Sequence, residues 1–193
     1  MKGVANAFAG LTIAFAATAT SAQTVAGDPF ADRADGAKLH VASGFVCPAK
    51  IGTFERDAVG ETNPQTEADF CAYSALDSVY GTISLVPLQG SYDPKQSLAD
   101  DFAEQEGTGG KLVSESTVDI AQPHAPPLPV YMRSYETARL EELHYRVTYT
   151  GATVGSWAVQ TTLEFAEPRD TKEVQQFLRA VYAGASAEIR ASH

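Results

Sequence analysis

Residues 143–190 leave few folds open. In LHYRVTYTG (143–151), Leu143, Tyr145, Val147 and Tyr149 alternate with His144, Arg146 and Thr148. In VGSWAVQTTLEF (154–165), Trp157, Val159, Leu163 and Phe165 alternate in the same way. Alternation with period two marks a strand with one wet face, and two such strands joined tightly mark an antiparallel pair. A turn at Gly151-Ala152-Thr153 is expected to set Val147 opposite Trp157 and Tyr145 opposite Val159, with both apolar sets on one face. A helix from about Thr171 to Arg190 follows Pro168, with Asp170 and Glu173 as its expected capping box. Val174, Phe177, Leu178, Val181, Tyr182, Ala185 and Ile189 fall on one stripe of that helix. Such a stripe needs a sheet to cover.

The rest of the chain supplies that sheet. KLHVASGFVCP (38–48), IGTFERDAV (51–59), FCAYSAL (70–76), SVYGTISLVPL (78–88), KLVSESTVDI (111–120) and VYMRSYETA (130–138) carry strand signals. GETNPQTEAD (60–69) is turn chemistry, and Asp77 joins two strands tightly. A mid-chain helix is expected after Asp93 as cap and Pro94 in its first turn, with Leu98 and Phe102 on its apolar stripe. EGTGGK (106–111) ends it. QPHAPPLP (122–129) is a stiff connector containing two P-x-x-P spacings. These signals predict an α+β protein with a single antiparallel sheet of about six or seven strands and both helices packed on it. The expected organisation is a signal peptide over 1–22, a flexible leader over 23–37 and one domain over 38–193.

The signal rests on Lys2, the short apolar run AFAGLTIAFAA (7–17) and the small residues before an expected cleavage after Ala22. The run is too short and too rich in Ala, Gly and Thr for a membrane span. A periplasmic or secreted destination follows, with no stable membrane insertion after cleavage. The formal net charge of −10 becomes one unit more negative without Lys2, and the basic residues are scattered. Phosphate backbones and anionic membranes need clustered Lys and Arg, so nucleic acid is not an expected partner. In an oxidising compartment Cys47 and Cys71 are expected to form a structural disulfide closing a loop of about 25 residues. A redox-active pair would show C-x-x-C spacing, which is missing.

GFVCPAKIGTFERD (44–57), CAYS (71–74) and VYGTISLVP (79–87) resemble a group of exported bacterial proteins of uncharacterised function. Phe45, Pro48, Gly52, Phe54, Arg56, Tyr73, Val79 and Tyr80 stand at the positions that carry the likeness. Over residues 40–185 the order of elements is similar to the Mog1/PsbP-like α/β sandwich. That resemblance implies a fold, not an activity.

Catalytic and metal-binding patterns are weak. His40, His124, His144 and His193 show no H-x-x-x-H or H-x-E spacing, so no metal site is expected. Asp32, Asp35 and Gly36 do not fit a calcium loop, because Ala31 and Arg33 occupy ligand places. Ser43, Ser114, Ser116 and Ser156 lack a G-x-S-x-G context. Asp100-Asp101 and Glu141-Glu142 are adjacent and do not point at one substrate, and GTGGK (107–111) follows a helix instead of opening one. No catalytic residue and no cofactor is assigned. The expected binding surface is the wet sheet face, where His144, Arg146 and Gln160 are neighbours and Arg133 joins them. Replacing Arg133 and Arg146 with Ala is expected to spare folding and abolish binding. The leading expectation is a periplasmic accessory or interaction protein without catalytic activity, with an envelope protein as candidate partner. The alternatives are a small-molecule or metal binder, and a hydrolase with a dispersed site.

Overall fold

The computed structural model describes residues 28–63, 68–75, 78–122 and 125–189. The signal segment with its cleavage point, Asp77, Pro123, His124 and His193 lie outside the described residues.

The chain is α+β, as its patterning requires, but with two sheets instead of one. The small sheet holds β1 (Phe30–Asp32), β2 (Lys38–His40) and β3 (Val46–Cys47). The large sheet draws on β4 (Lys50–Ile51), β5 (Phe54–Asn63), β6 (Ala68–Ala75), β7 (Val79–Pro87), β8 (Lys111–Ile120), β9 (Leu128–Leu140), β10 (Leu143–Val154) and β11 (Trp157–Glu167). Its order is β4-β5-β6-β7-β11-β10-β9-β8, eight strands, every neighbour antiparallel. The count exceeds the expectation because the two-residue β4 adds an edge. Residues 38–48 leave the large sheet altogether: Gly44, at a φ of 81°, turns the chain back, so that His40 N donates to Phe45 O at 2.8 Å.

The stretch read as a flexible leader is structured from residue 28. Phe30 is buried and pairs with His40, and residues 33–37 form the β1–β2 turn, where Asp35 accepts from Ala37 N at 3.1 Å.

The helices lie on opposite faces of the large sheet. α3 (Thr171–Glu188) buries Val174, Phe177, Leu178, Val181, Tyr182 and Ala185 against Ile83, Leu85, Val159, Leu163 and Phe165. The mid-chain helix is broken at the buried Leu98 into α1 (Pro94–Ser97) and α2 (Ala99–Gly107). Leu98 and Phe102 pack on Tyr131, Tyr135 and Tyr149 of the other face. Asp93 caps α1 as its sequence position suggests, accepting from Lys95 N at 2.9 Å. The Asp170 side chain makes no cap bond to α3; its carboxylate accepts from Ala166 N at 2.9 Å and from Arg169.

The β10–β11 turn differs from the expectation, and the difference redistributes the core. The turn is Gly155-Ser156, with Gly155 at a φ of 58°, so Val154 opposes Trp157 and Val147 opposes Glu164. Val147 thus meets a residue seven positions beyond the expected Trp157, and an odd displacement exchanges the faces. Tyr149, Val147 and their strand neighbours therefore pack under α2, while Trp157, Val159, Leu163 and Phe165 face α3. Gly151 continues the strand because Tyr92 lies so close over it that a Cβ would collide with the phenol oxygen.

Candidate binding cleft beneath the C-terminal helix

The four residues expected to share a surface are divided between two places. Arg133 stands opposite Tyr149 on the α2 side, its guanidinium 4.5 Å from the centre of the Phe102 ring and 2.8 Å from Glu106 Oε1. Gln160 is on the same side, where its amide donates to Ser97 Oγ at 2.8 Å and to Tyr92 Oη at 3.0 Å. His144 and Arg146 meet elsewhere, on Glu136 Oε2, at 2.8 and 2.9 Å. Arg146 is buried and also donates through Nε to Glu167 Oε2 at 2.9 Å. Hydrogen bonds from His144 and then from Arg146 hold the Glu136 carboxyl below its ordinary range. Each of the four side chains has at least one partner within the protein.

Cys47 and Cys71 are bonded, with Cα atoms 6.4 Å apart, and the bridge ties β3 to β6. Beside it lies a constellation that no motif announces. His40 Nδ1 is 2.6 Å from Ser43 Oγ, and His40 Nε2 is 2.7 Å from Asp69 Oδ2. The carboxylate only accepts, so Nε2 carries a proton, and in the neutral ring the Ser43 hydroxyl donates to Nδ1. Hydroxyl, imidazole and carboxylate stand in relay order, yet Ser43 and His40 are both 0% exposed. Rings of Phe30 and Trp157 flank the imidazole at 5.2 and 5.1 Å. A nucleophile must meet its substrate, and Ser43 meets only the interior, where its Oγ also accepts from Phe45 N at 3.0 Å. This trio fastens the small sheet to β6. His40 and Ser43 are three positions apart, a local pair that spacing can suggest; Asp69 comes from a distant strand, and no spacing rule reaches it.

An accessible cleft of about 900 Å³ lies between α3 and the β8–β9–β10 side of the sheet. It follows from how α3 is seated. The helix covers the middle strands, and β8 reaches it only near the buried Ile120; toward Ser114 the strand runs exposed. The floor is Met132, Phe165 and the hydroxyl pair Ser134–Thr148, whose oxygens are 2.8 Å apart. Val174 and Leu178 form the helical wall. One hydroxyl donates to the other, so the floor is chiefly carbon with a single hydroxyl hydrogen left over. At the Ile120 end, Gln122 donates its amide to Ile120 O at 3.2 Å while its buried Oε1 has no partner among the described residues. Glu167, Asp119 and Arg179 lie along its rim. A cavity of this size, apolar with few polar groups, suits a small neutral molecule with an apolar body. Sequence patterns do not reveal it, because its lining residues come from separate elements and none carries a motif. Among the described residues no three His, Cys, Asp or Glu converge as metal ligands. No described helix is long and apolar enough to cross a membrane.

No protein-family model matches the chain, and no curated protein matches it. Among solved structures it is similar to the solution structure of cyanobacterial PsbP (CyanoP) from Synechocystis sp. PCC 6803, at 11% identity and a TM-score of 0.42. The match covers 84% of this chain and 91% of that one. A likeness at that level carries no argument about activity, and function has to be read from this chain's own side chains.

Proposed function

We propose that this is a non-catalytic accessory protein that acts outside the cytoplasm by binding, and that the cleft under α3 takes a small neutral molecule with an apolar body. The observation that carries the reading is the cleft itself, about 900 Å³ with a carbon floor of Met132 and Phe165. The sequestered Ser43 hydroxyl supports a binding role over hydrolysis. The Cys47–Cys71 bridge and the Lys2-led apolar segment support an oxidising destination.

A thermal-shift screen of neutral apolar compounds tests it. A ligand present at about a hundred times its Kd adds about 2.7 kcal/mol, which is roughly 5–10 °C in a domain of this size. The Ser114→Trp variant fills the cleft from its exposed rim and leaves the core alone. It should keep its melting point and lose the shift. A screen in which nothing binds, or a shift that survives Ser114→Trp, overturns the assignment.

A further inference from the structure

We infer that the cleft under α3 is built for length: its ligand is a neutral single-chain lipid of about 12–14 carbons, whose terminal hydroxyl donates to Gln122 Oε1. This rests on the cleft being a binding site and names the class of molecule it takes. Length follows from the lining. Along α3 the wall runs from Thr171 to Ala183, which at the helical rise is about 18 Å. Along β8 it runs from Ser114 to Ile120, about 20 Å of extended chain. A volume of about 900 Å³ drawn out over that length is a channel of about 50 Å² in mean section. A helix, about 10–12 Å across, does not fit it. A peptide strand brings an N–H and a C=O at every residue, and Val118, Met132, Val174 and Leu178 answer none of them. A hydrocarbon chain asks nothing of those walls. Its C–C bonds of about 1.5 Å advance about 1.25 Å each when extended, so about 14 carbons span the helical wall.

The two ends of the channel differ, and the difference sets the head group. At the Ile120 end the Gln122 nitrogen donates to Ile120 O, which fixes the orientation of the amide, because its oxygen could not donate there. Oε1 is therefore a buried acceptor without a partner among the described residues. Such an atom carries its full desolvation cost until a donor meets it. An alcohol supplies the donor. A carboxylate of the same length has no hydrogen to give at neutral pH, and an ether has none at any pH. At the other end Ser134 stands in register with Ser114, where β8 is exposed. A chain longer than the channel leaves it there, and its extra carbons gain no cover.

The test is displacement of N-phenylnaphthylamine, a neutral fluorescent probe of apolar sites, by straight-chain primary alcohols from octanol to hexadecanol, each held below its solubility limit. Affinity should rise about fourfold per added carbon and level off between dodecanol and tetradecanol. Dodecanol should bind about tenfold tighter than dodecanoate and than the methyl ether of undecanol, which has the same length without the O–H. In Gln122→Met the alcohol and the ether should agree within about twofold, and ether binding equal to the parent's reports that the variant folds. Borneol, a compact neutral alcohol, separates this inference from the reading beneath it. If borneol binds, Ser114→Trp abolishes its binding, and the straight chains show no rise with length, the cleft remains a binding site and the chain-length inference is overturned. If no compound binds, both fall. An alcohol advantage that persists in Gln122→Met also overturns the inference, because the hydroxyl then sits elsewhere.

Discussion

Arg146 shows how far a single side chain can depart from its apparent role. Alternation puts it on a wet strand face, and the Ala variant is expected from sequence to fold normally. The structure argues otherwise: Arg146 is buried and answers two carboxylates, Glu136 and Glu167, each at 2.9 Å. Removing it leaves two anions side by side, so Arg146→Ala should lose about 1–3 kcal/mol in urea denaturation at neutral pH. An unchanged midpoint would show that water screens the pair. Asp101 makes the opposite argument. Burial, followed by repulsion from Glu104 and Asp100, raises its carboxyl above 3.8. The charged form is therefore disfavoured in the folded state, and the penalty appears as pH rises through the raised value. The N-terminus of α2 favours a negative charge there, but burial and the like charges outweigh it. Asp101→Asn should match the parent below pH 3.8 and be the more stable at pH 7, by chemical denaturation at both values. Tyr149, pushed up to about 12 by burial and then by Asp101 and Glu104, should stay un-ionised in an ultraviolet titration until the fold opens.

At the scale of elements, two anchors decide how the layers hold. The Cys47–Cys71 bridge spans 24 positions, for which loop closure gives about 3.5 kcal/mol. The Cys47→Ala/Cys71→Ala protein should unfold at correspondingly lower urea, and the small sheet should loosen first, because His40–Asp69 is then its chief remaining side-chain tie to β6. The second anchor is Tyr182 of α3. Its hydroxyl is 2.6 Å from Thr150 Oγ1, which in turn is 2.7 Å from Thr161 Oγ1. Tyr182→Phe should cost about 1 kcal/mol by the same measurement, since the threonines keep one bond between them. Most elements are legible in the sequence. β8 runs over 111–120 as its pattern indicates, and the stripe of α3 is the buried one. The β10–β11 turn is not. Gly151 resembles a turn glycine because a glycine among β-branched residues marks a bend, whereas here it makes room for Tyr92, a contact between residues far apart in the chain. Asp170 likewise has the right spacing for a cap, and commits its carboxylate to Ala166 and Arg169 instead.

For the whole molecule, the arrangement of helices matters more than their existence. α3 on one face and α1–α2 on the other enclose the middle of the large sheet, and leave β8 with water on most of its length. That asymmetry creates the cleft, and sequence patterning hides it, because face assignment hangs on the one turn that Gly151 misplaces. By the same parity, four side chains that alternation gathers into one surface belong to two separate clusters. The asymmetry has a dynamic consequence. An amide exchanges through the smallest opening that frees it, and strands with few buried contacts open without global unfolding. Native-state hydrogen exchange should therefore show β11 amides such as those of Val159 and Thr161 protected near the global limit. Amides of Ser114–Thr117 in β8 should exchange at least about a hundredfold faster in dilute protein. Adding a cleft ligand should slow the floor amides at Ser134 and Thr148 before those of the β8 edge. Uniform protection across β8 and β11 in dilute protein would mean that the two flanks of the sheet are equally held, and that the open flank is not a separate mobile unit.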